Sequence, residues 1–119
     1  MAQELGRAFI SFFYQCYDGD RTQLQTIYKD CSMLTCEGQE FLGMQAIMEK
    51  IAGLGASFRH NIQTMDVQPT ADNSILITCT GEIAIDENQP MLFTETFIIR
   101  DNGGNSYYVH NDMFRFVLA

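Results

Sequence analysis

At 119 residues the chain has the length of one domain, able to bury roughly two thirds of the surface it exposes when unfolded. Apolar residues make up 46% and charged residues 18%, too apolar a mixture for a disordered chain, and no apolar run approaches the ~20 residues that span a bilayer. Seven Lys and Arg against fifteen Asp and Glu leave a net charge of -8, which argues against a nucleic-acid phosphate backbone as the main partner and suits a basic partner or simple solubility.

In chain order, the first regular pattern lies in residues 4–17. Leu5, Ala8, Phe9, Phe12, Phe13, Cys16 and Tyr17 recur at helical spacing, so a helix with that stripe on the core is expected, Gln3, Arg7, Ser11 and Gln15 taking the other side. Asp18, Gly19 and Asp20 end it. Asp20 with Gln23 three residues on forms a capping-box pattern for a second, short helix with Leu24, Ile27 and Tyr28 as its apolar stripe. Met33 to Glu37 reads as a short strand, Gly38 as part of a turn, and Gln39 to Leu42 as the return. Gly43 opens a third helix with Met44, Ile47, Met48, Ile51 and Leu54 on one face, closed by Gly53 and Gly55. That Gly-x-Gly follows a helix and lacks a third glycine, so a helix cap is expected there and not a nucleotide loop.

From Phe58 onward the period is two. Phe58, His60, Ile62 and Thr64 alternate, then the apolar parity moves to Met65 and Val67, which places a bulge or bend in a long strand. Pro69 to Asn73 makes a turn. Ile75, Ile77, Cys79, Gly81, Ile83 and Ile85 share one strand face; after the acidic turn Asp86 to Pro90, Met91, Phe93, Glu95, Phe97 and Ile99 share another. Asp101 to Asn105 is a second hairpin turn, and Tyr107 to Leu118 the last strand. Three helices interrupted by a small hairpin, then a four-stranded meander, predict an α+β fold over residues 1–119. A strongly bent antiparallel sheet wraps the helices in a cone that is filled or holds a pocket.

Cys16, Cys31, Cys36 and Cys79 form no C-x-x-C pair and are not spaced with histidines as a zinc site would be; three of them sit in apolar patterns, so buried free thiols in a reducing compartment are expected. No basic segment followed by an apolar one opens the chain, so a soluble, non-secreted protein is expected.

The strings Phe9-Ile10 with Phe13-Tyr14, Asp20 to Leu24, Tyr28, Leu34-Thr35 with Glu37-Gly38, Ile47 with Glu49-Lys50, His60 to Ile62, Gln68-Pro69 and Asn111 to Arg115 occur in that order. Together they resemble the nuclear transport factor 2 family over essentially the whole chain. The resemblance implies a cone of bent sheet and three helices, dimerised through the sheet surface, that carries Ran-GDP into the nucleus. It implies an apolar cavity that receives an aromatic side chain of Ran, ringed by acidic groups that pair with basic residues beside that aromatic. By position, the rim groups are Glu37, Asp86 and Asn88, and the lining includes Leu54, Phe58, Ile83, Ile85, Met91, Met113 and Phe114. It further implies binding to Phe-x-Phe-Gly nucleoporins, residence in cytoplasm and nucleus with concentration at nuclear pores, and no cofactor, metal, nucleic acid, membrane insertion or catalysis. The sequence leaves the family pattern twice. Asn88 stands where a second rim carboxylate is usual, and about Ala2 stands where an aromatic receives nucleoporin repeats.

The same cone hosts isomerases and dehydratases, for which the candidates here are Glu95, His60, Asp66, Asp112 and the tyrosines of the first helix, Tyr14 and Tyr17. Glu95 shares a face with Phe93 and Phe97, so it is either a buried base with a raised pKa or the partner of Arg59, Arg100 or Arg115 on an exposed or dimer face. His60 is expected to be a hydrogen-bonded core or interface histidine, and His110 has no second histidine for a metal. Asp112 is expected to anchor a strand or to pair with Arg115 or Arg59. No set of nucleophile, base and orienting group can be assembled, so an enzyme is not expected. A dimerisation module of an RNA-export complex is the third alternative.

Overall fold

In the computed structural model, which describes residues 1–104 and 106–118, helix α1 covers Ala2–Asp18. It stops where the Gly19 N–H bonds back to the Gln15 and Cys16 carbonyls. A 3-10 helix follows at Arg21–Thr26, capped by Asp20, whose Oδ1 accepts from the Thr22 N–H and hydroxyl; these bonds hold the Asp20 carboxyl below its usual pKa. The remaining elements are β1 (Tyr28–Cys36), β2 (Gln39–Leu42), α2 (Met44–Leu54), β3 (Phe58–Thr70), a short 3-10 turn (Ala71–Asn73), β4 (Ser74–Ile85), β5 (Met91–Asp101) and β6 (Tyr107–Phe116).

The six strands form one sheet in the order β2-β1-β6-β5-β4-β3. The meander β3 to β6 is antiparallel, as its alternation predicts, and the α+β class holds. The sheet is mixed, however, because β1 runs parallel to β6. The chain reaches that edge from the 3-10 helix, where the Ile27 carbonyl accepts from the Val109 N–H, and this sets the direction of β1. β1 also starts five residues earlier than the pattern predicts, at Tyr28 and not Met33. Its first half is irregular: Ser32 Oγ accepts from the Lys29 N–H and donates to the Val109 carbonyl, and the register with β6 shifts between Tyr28 and Met33. Polar residues at such a bulge erase the period of two.

The expected bend in β3 is present, as a register shift between Ile62 and Thr64. Gly81 lies opposite, and its missing side chain leaves room for the Asn61 carbonyl: a Cβ there would be 2.2 Å from that oxygen. A second shift bends β5 against β6 between Ile98 and Ile99.

The core lies between the inner sheet face, with Ile77, Phe93, Phe97, Ile99 and Val109 fully buried, and the two α-helices. Helix α1 uses only part of the expected stripe, burying Phe13, Cys16 and Tyr17 of it. Its buried residues are Gly6, Ile10, Phe13, Tyr14, Cys16 and Tyr17, whereas Leu5 and Phe12 remain 36% and 40% exposed. Two apolar faces overlap on this helix, and close approach decides between them. A Cβ at Gly6 would lie 2.7 Å from Val67 Cγ1, so the helix turns its glycine toward β3 and brings Phe13 within 4.9 Å of the Phe97 ring. Three of the four cysteines, Cys16, Cys36 and Cys79, are buried free thiols, and burial pushes the Cys79 pKa up to about 11; Cys31 is exposed. The turn after β5 has left-handed Gly103 and Gly104, with Asp101 Oδ1 accepting from the Gly103 N–H; Asn105 of that expected turn lies outside the described residues.

Candidate functional site

The ends of β1, β4 and β6 converge with the last turn of α2 on an apolar cavity. Its walls are Leu34 and Cys36 from β1, Ile51 and Leu54 from α2, Ile83 and Ile85 from β4, and Phe114 and Phe116 from β6; Tyr17, Tyr28, Glu95 and Asp112 complete it. The free volume is about 20 Å³, room for about one water. A ring enters only if Leu54, Ile85 and Phe116, the half-buried wall residues, move aside.

Of the residues expected to line it, Leu54, Ile83, Ile85 and Phe114 do so. Three do not. Phe58 is buried behind the wall, its ring edge-on to Tyr17 at 5.0 Å with the Arg21 guanidinium 4.7 Å above it. Met91, at the first position of β5 opposite Ile83, is 40% exposed. Met113 is turned outward because Asp112 and Phe114 on either side of it face in; it borders a shallow outer groove with Met33, Phe41 and Leu42. The same parity could have named Phe116 and the pair Leu34 and Cys36, which the sequence reading missed.

The two rim carboxylates each sit one residue beyond a lining residue, Glu37 after Cys36 and Asp86 after Ile85. Both adopt left-handed backbone, with φ of 52° and 54°. Glu37 and Gly38 form the two-residue loop between β1 and β2, where two positive φ values are required and Asn-Gly is favoured. Glu37 Oε1 accepts from the Phe116 N–H at 3.1 Å, and Oε2 lies 3.6 Å from Arg115 Nη1 in an exposed pair of small energetic weight. Asp86 Oδ1 accepts from the Ala56 and Ser57 N–H groups at 2.8 and 2.9 Å, and its own N–H donates to the Ser57 carbonyl. The acidic hairpin tip is thereby tied to the segment leaving α2. Asn88 is exposed at the same tip, its N–H donating to the Ile85 carbonyl. Between the ends of β1 and β4 lie β6 and β5, and the ladder sets Glu37 level with Thr80, six residues before Asp86, so the two carboxylates stand well apart.

Glu95 and Asp112 are 3% and 2% exposed, and among the described residues neither pairs with an arginine, so the ion-pair alternative fails for both while burial of Glu95 and a strand-anchoring place for Asp112 stand. Arg115 instead reaches Glu37. The Tyr14 hydroxyl donates to Glu95 Oε1 and the Tyr28 hydroxyl to Asp112 Oδ2, both at 2.8 Å. Burial, then the Asp112 charge, raises the Glu95 pKa well above the ordinary carboxyl value, and burial raises Asp112. The pKa values of Tyr14, Tyr17 and Tyr28 are also raised, by burial first. His60 accords with its expected structural place: Nδ1 lies 2.6 Å from Asp18 Oδ1, its backbone N–H donates to Asp18 Oδ2, and Tyr14, Tyr17 and Phe93 rings surround it. Asp66 is exposed on β3. Tyr14 and Tyr28 are thus engaged with Glu95 and Asp112, and His60 with Asp18.

A bent sheet closed over helices, with an apolar cavity at the strand ends and carboxylates on its lip, defines a cone-shaped α+β domain. Within that class, the chain matches the family model of the nuclear transport factor 2 (NTF2) domain over residues 5–116. It is 38% identical over 118 residues to Nuclear transport factor 2 of Emericella nidulans, covering 97% of this chain and 94% of that protein. It is 43% identical over 115 residues to Nuclear transport factor 2 of Saccharomyces cerevisiae, covering 93% and 90%. The solved structure of nuclear transport factor 2 from Cryptosporidium parvum superposes with a TM-score of 0.92 at 30% identity, covering 98% and 94%. The chain belongs to the nuclear transport factor 2 family.

Proposed function

We propose that this chain is a non-catalytic nuclear transport carrier that binds Ran-GDP as a homodimer and carries it through the nuclear pore between cytoplasm and nucleus. The observation that supports this reading best is the cavity of Leu54, Ile83, Ile85 and Phe114, with the acidic residues Glu37 and Asp86 each one residue beyond a wall residue. An aromatic anchor entering an apolar pocket, with basic neighbours meeting carboxylates on the lip, is the composition of a binding hot spot. The net charge of -8 adds long-range attraction to a basic partner loop. Asn88 contributes a neutral hydrogen bond in place of a charged one, a difference of about 1 kcal/mol in affinity. For nucleoporin Phe-x-Phe-Gly repeats, the exposed Leu5 and Phe12 on the outer face of α1 offer apolar contacts in place of the family's N-terminal aromatic. That the relatives carry the name of a transport factor favours a carrier over an enzyme or an RNA-export module.

Calorimetric titration of the chain with Ran-GDP at moderate salt tests this. Saturable binding that weakens with added salt is the expected result; no heat and no complex would sink the proposal. Glu37→Asn supplies a second test. Asparagine relieves a left-handed glutamate, worth about 1 kcal/mol, which offsets the lost bond to the exposed Phe116 N–H. Thermal stability is therefore expected within about 1 kcal/mol of the parent, while Ran-GDP affinity falls about tenfold. Unchanged affinity would remove Glu37 from the rim.

A further inference from the structure

We propose that Glu95 and Asp112 share a single proton, and that this proton latches the inner end of the cavity in a continuous chain Tyr14–Glu95–Asp112–Tyr28. The two carboxyls are diagonal neighbours on the inner sheet face, since Glu95 pairs with Phe114 and Asp112 with Phe97. Each receives one phenol, Tyr14 from α1 on Glu95 Oε1 and Tyr28 from β1 on Asp112 Oδ2. Asp112 Oδ1 has no N–H or hydroxyl donor among the described residues. Its diagonal neighbour on that face, Glu95, is the group placed to bond it, and both carboxyls line the inner end of the cavity. Two carboxyls can make that bond only if one of them carries a proton.

Among the described residues the side chains around the pair offer no cation to neutralise it. The titratable groups facing it are Tyr14 and Tyr17 from α1, Tyr28 and Cys36 from β1, and Cys79 from β4, none of them a cation. His60 from β3 lies beyond the Tyr14 ring and is bound to Asp18. Arg21, Lys50 and Arg7 act on Tyr17, Cys36 and Cys79, and no ion pair to Glu95 or Asp112 exists among the described residues. Two buried carboxylates in contact without a cation repel; one proton converts them into a donor–acceptor pair with a single negative charge, a property of the pair rather than of either residue.

The proton closes a bond between β5 and β6 where α1 and β1 also attach, beside a space that admits about one water. Removing it leaves two anions there, which draw in water and loosen the inner end of the cavity. Both carboxyls bind protons more tightly in the folded chain than at their ordinary values of 4.5 and 3.8. The latch is therefore complete at pH values near those and below, and is lost as pH rises through the folded values.

Glu95→Gln tests the latch, because its amide supplies the donor permanently while its carbonyl still accepts from Tyr14. The variant should match the parent in Tm near pH 4 and exceed it by about 5 °C at pH 8, with the gap widening between. Infrared spectra at neutral pH should show the carbonyl stretch of a protonated carboxyl in the parent and not in the variant. Asp112→Asn should flatten the pH profile in the same way, and decides the matter if Glu95→Gln does not fold. Parallel pH profiles for parent and variants, or no protonated-carboxyl band in the parent, would overturn the proposal.

Discussion

Asparagine in place of Asp86 is expected to leave the fold untouched and weaken Ran-GDP binding about tenfold, whereas lysine there is expected to damage both fold and binding. The distinction comes from the two jobs of this carboxylate. Oδ1 is turned inward, accepting from the Ala56 and Ser57 N–H groups, and it ties the β4–β5 tip to the segment leaving α2. Asparagine keeps an oxygen there and tolerates the φ of 54°, so only the charge is lost. One charge-assisted contact is worth about 1.5 kcal/mol more than a neutral one, near a factor of ten in Kd. Lysine has no acceptor, so two backbone donors lose their partner, and it sits poorly in left-handed backbone; together these cost about 2 kcal/mol of stability. It also sets like charge against a basic partner loop, which costs about 3 kcal/mol more, over a hundredfold in affinity. Thermal melts read the first effect and calorimetry with Ran-GDP the second. If Asp86→Asn binds as tightly as the parent, the charge on this lip does not serve recognition.

The meander was readable because its residues are one-sided. Ile75 to Ile83 and Phe93 to Ile99 bury every second residue, and the slip of phase after Ile62 announced a bulge that is present. Helix α1 was read as a helix, and its C-terminal stripe Phe13, Cys16 and Tyr17 is buried, but its face is rotated so that Leu5 and Phe12 stay exposed. Leu5 and Phe12 are as apolar as Ile10 and Phe13, and what separates them is the absent side chain of Gly6 against Val67, a tertiary contact that periodicity does not carry. The first half of β1 was missed because Lys29, Asp30 and Ser32 serve a bulge, where backbone bonding to a side-chain hydroxyl replaces the ladder. In the candidate site, Ile83 and Ile85 followed from strand parity, and the same rule applied to Asp112, Met113 and Phe114 would have turned Met113 outward. Glu95 was noticed as a carboxylate on an apolar face, but its partner could not be read. Tyr14 is 81 residues away in sequence, and only the packing of α1 across the sheet brings its hydroxyl to Glu95.

Gly81→Ala is expected to be the most damaging methyl-sized change in the chain, lowering stability by about 3 kcal/mol and Tm by about 10 °C or more. The added Cβ would meet the Asn61 carbonyl oxygen at 2.2 Å, the Asn61 carbonyl carbon at 3.1 Å and the Ile62 Cα at 3.0 Å. All three are backbone atoms, so no side chain can rotate away; the β3 bulge itself has to move. β3 is an edge strand paired only with β4, and moving the bulge disturbs the register that sets Phe58 against Ile85 and His60 against Ile83. Two other glycines separate this steric cause from backbone preference. Gly103→Ala meets open space but has a φ of 85°, so it should cost only about 1 kcal/mol. Gly53→Ala, in α2 with nothing within 4 Å, should gain about 0.5 to 1 kcal/mol. Urea or thermal unfolding of the three variants should rank them in that order. A Gly81→Ala variant as stable as Gly103→Ala would mean that the bulge slides at little cost. The β4 wall of the cavity, Ile83 and Ile85, would then be held by its antiparallel neighbour β5 and by α2 rather than by the bend in β3.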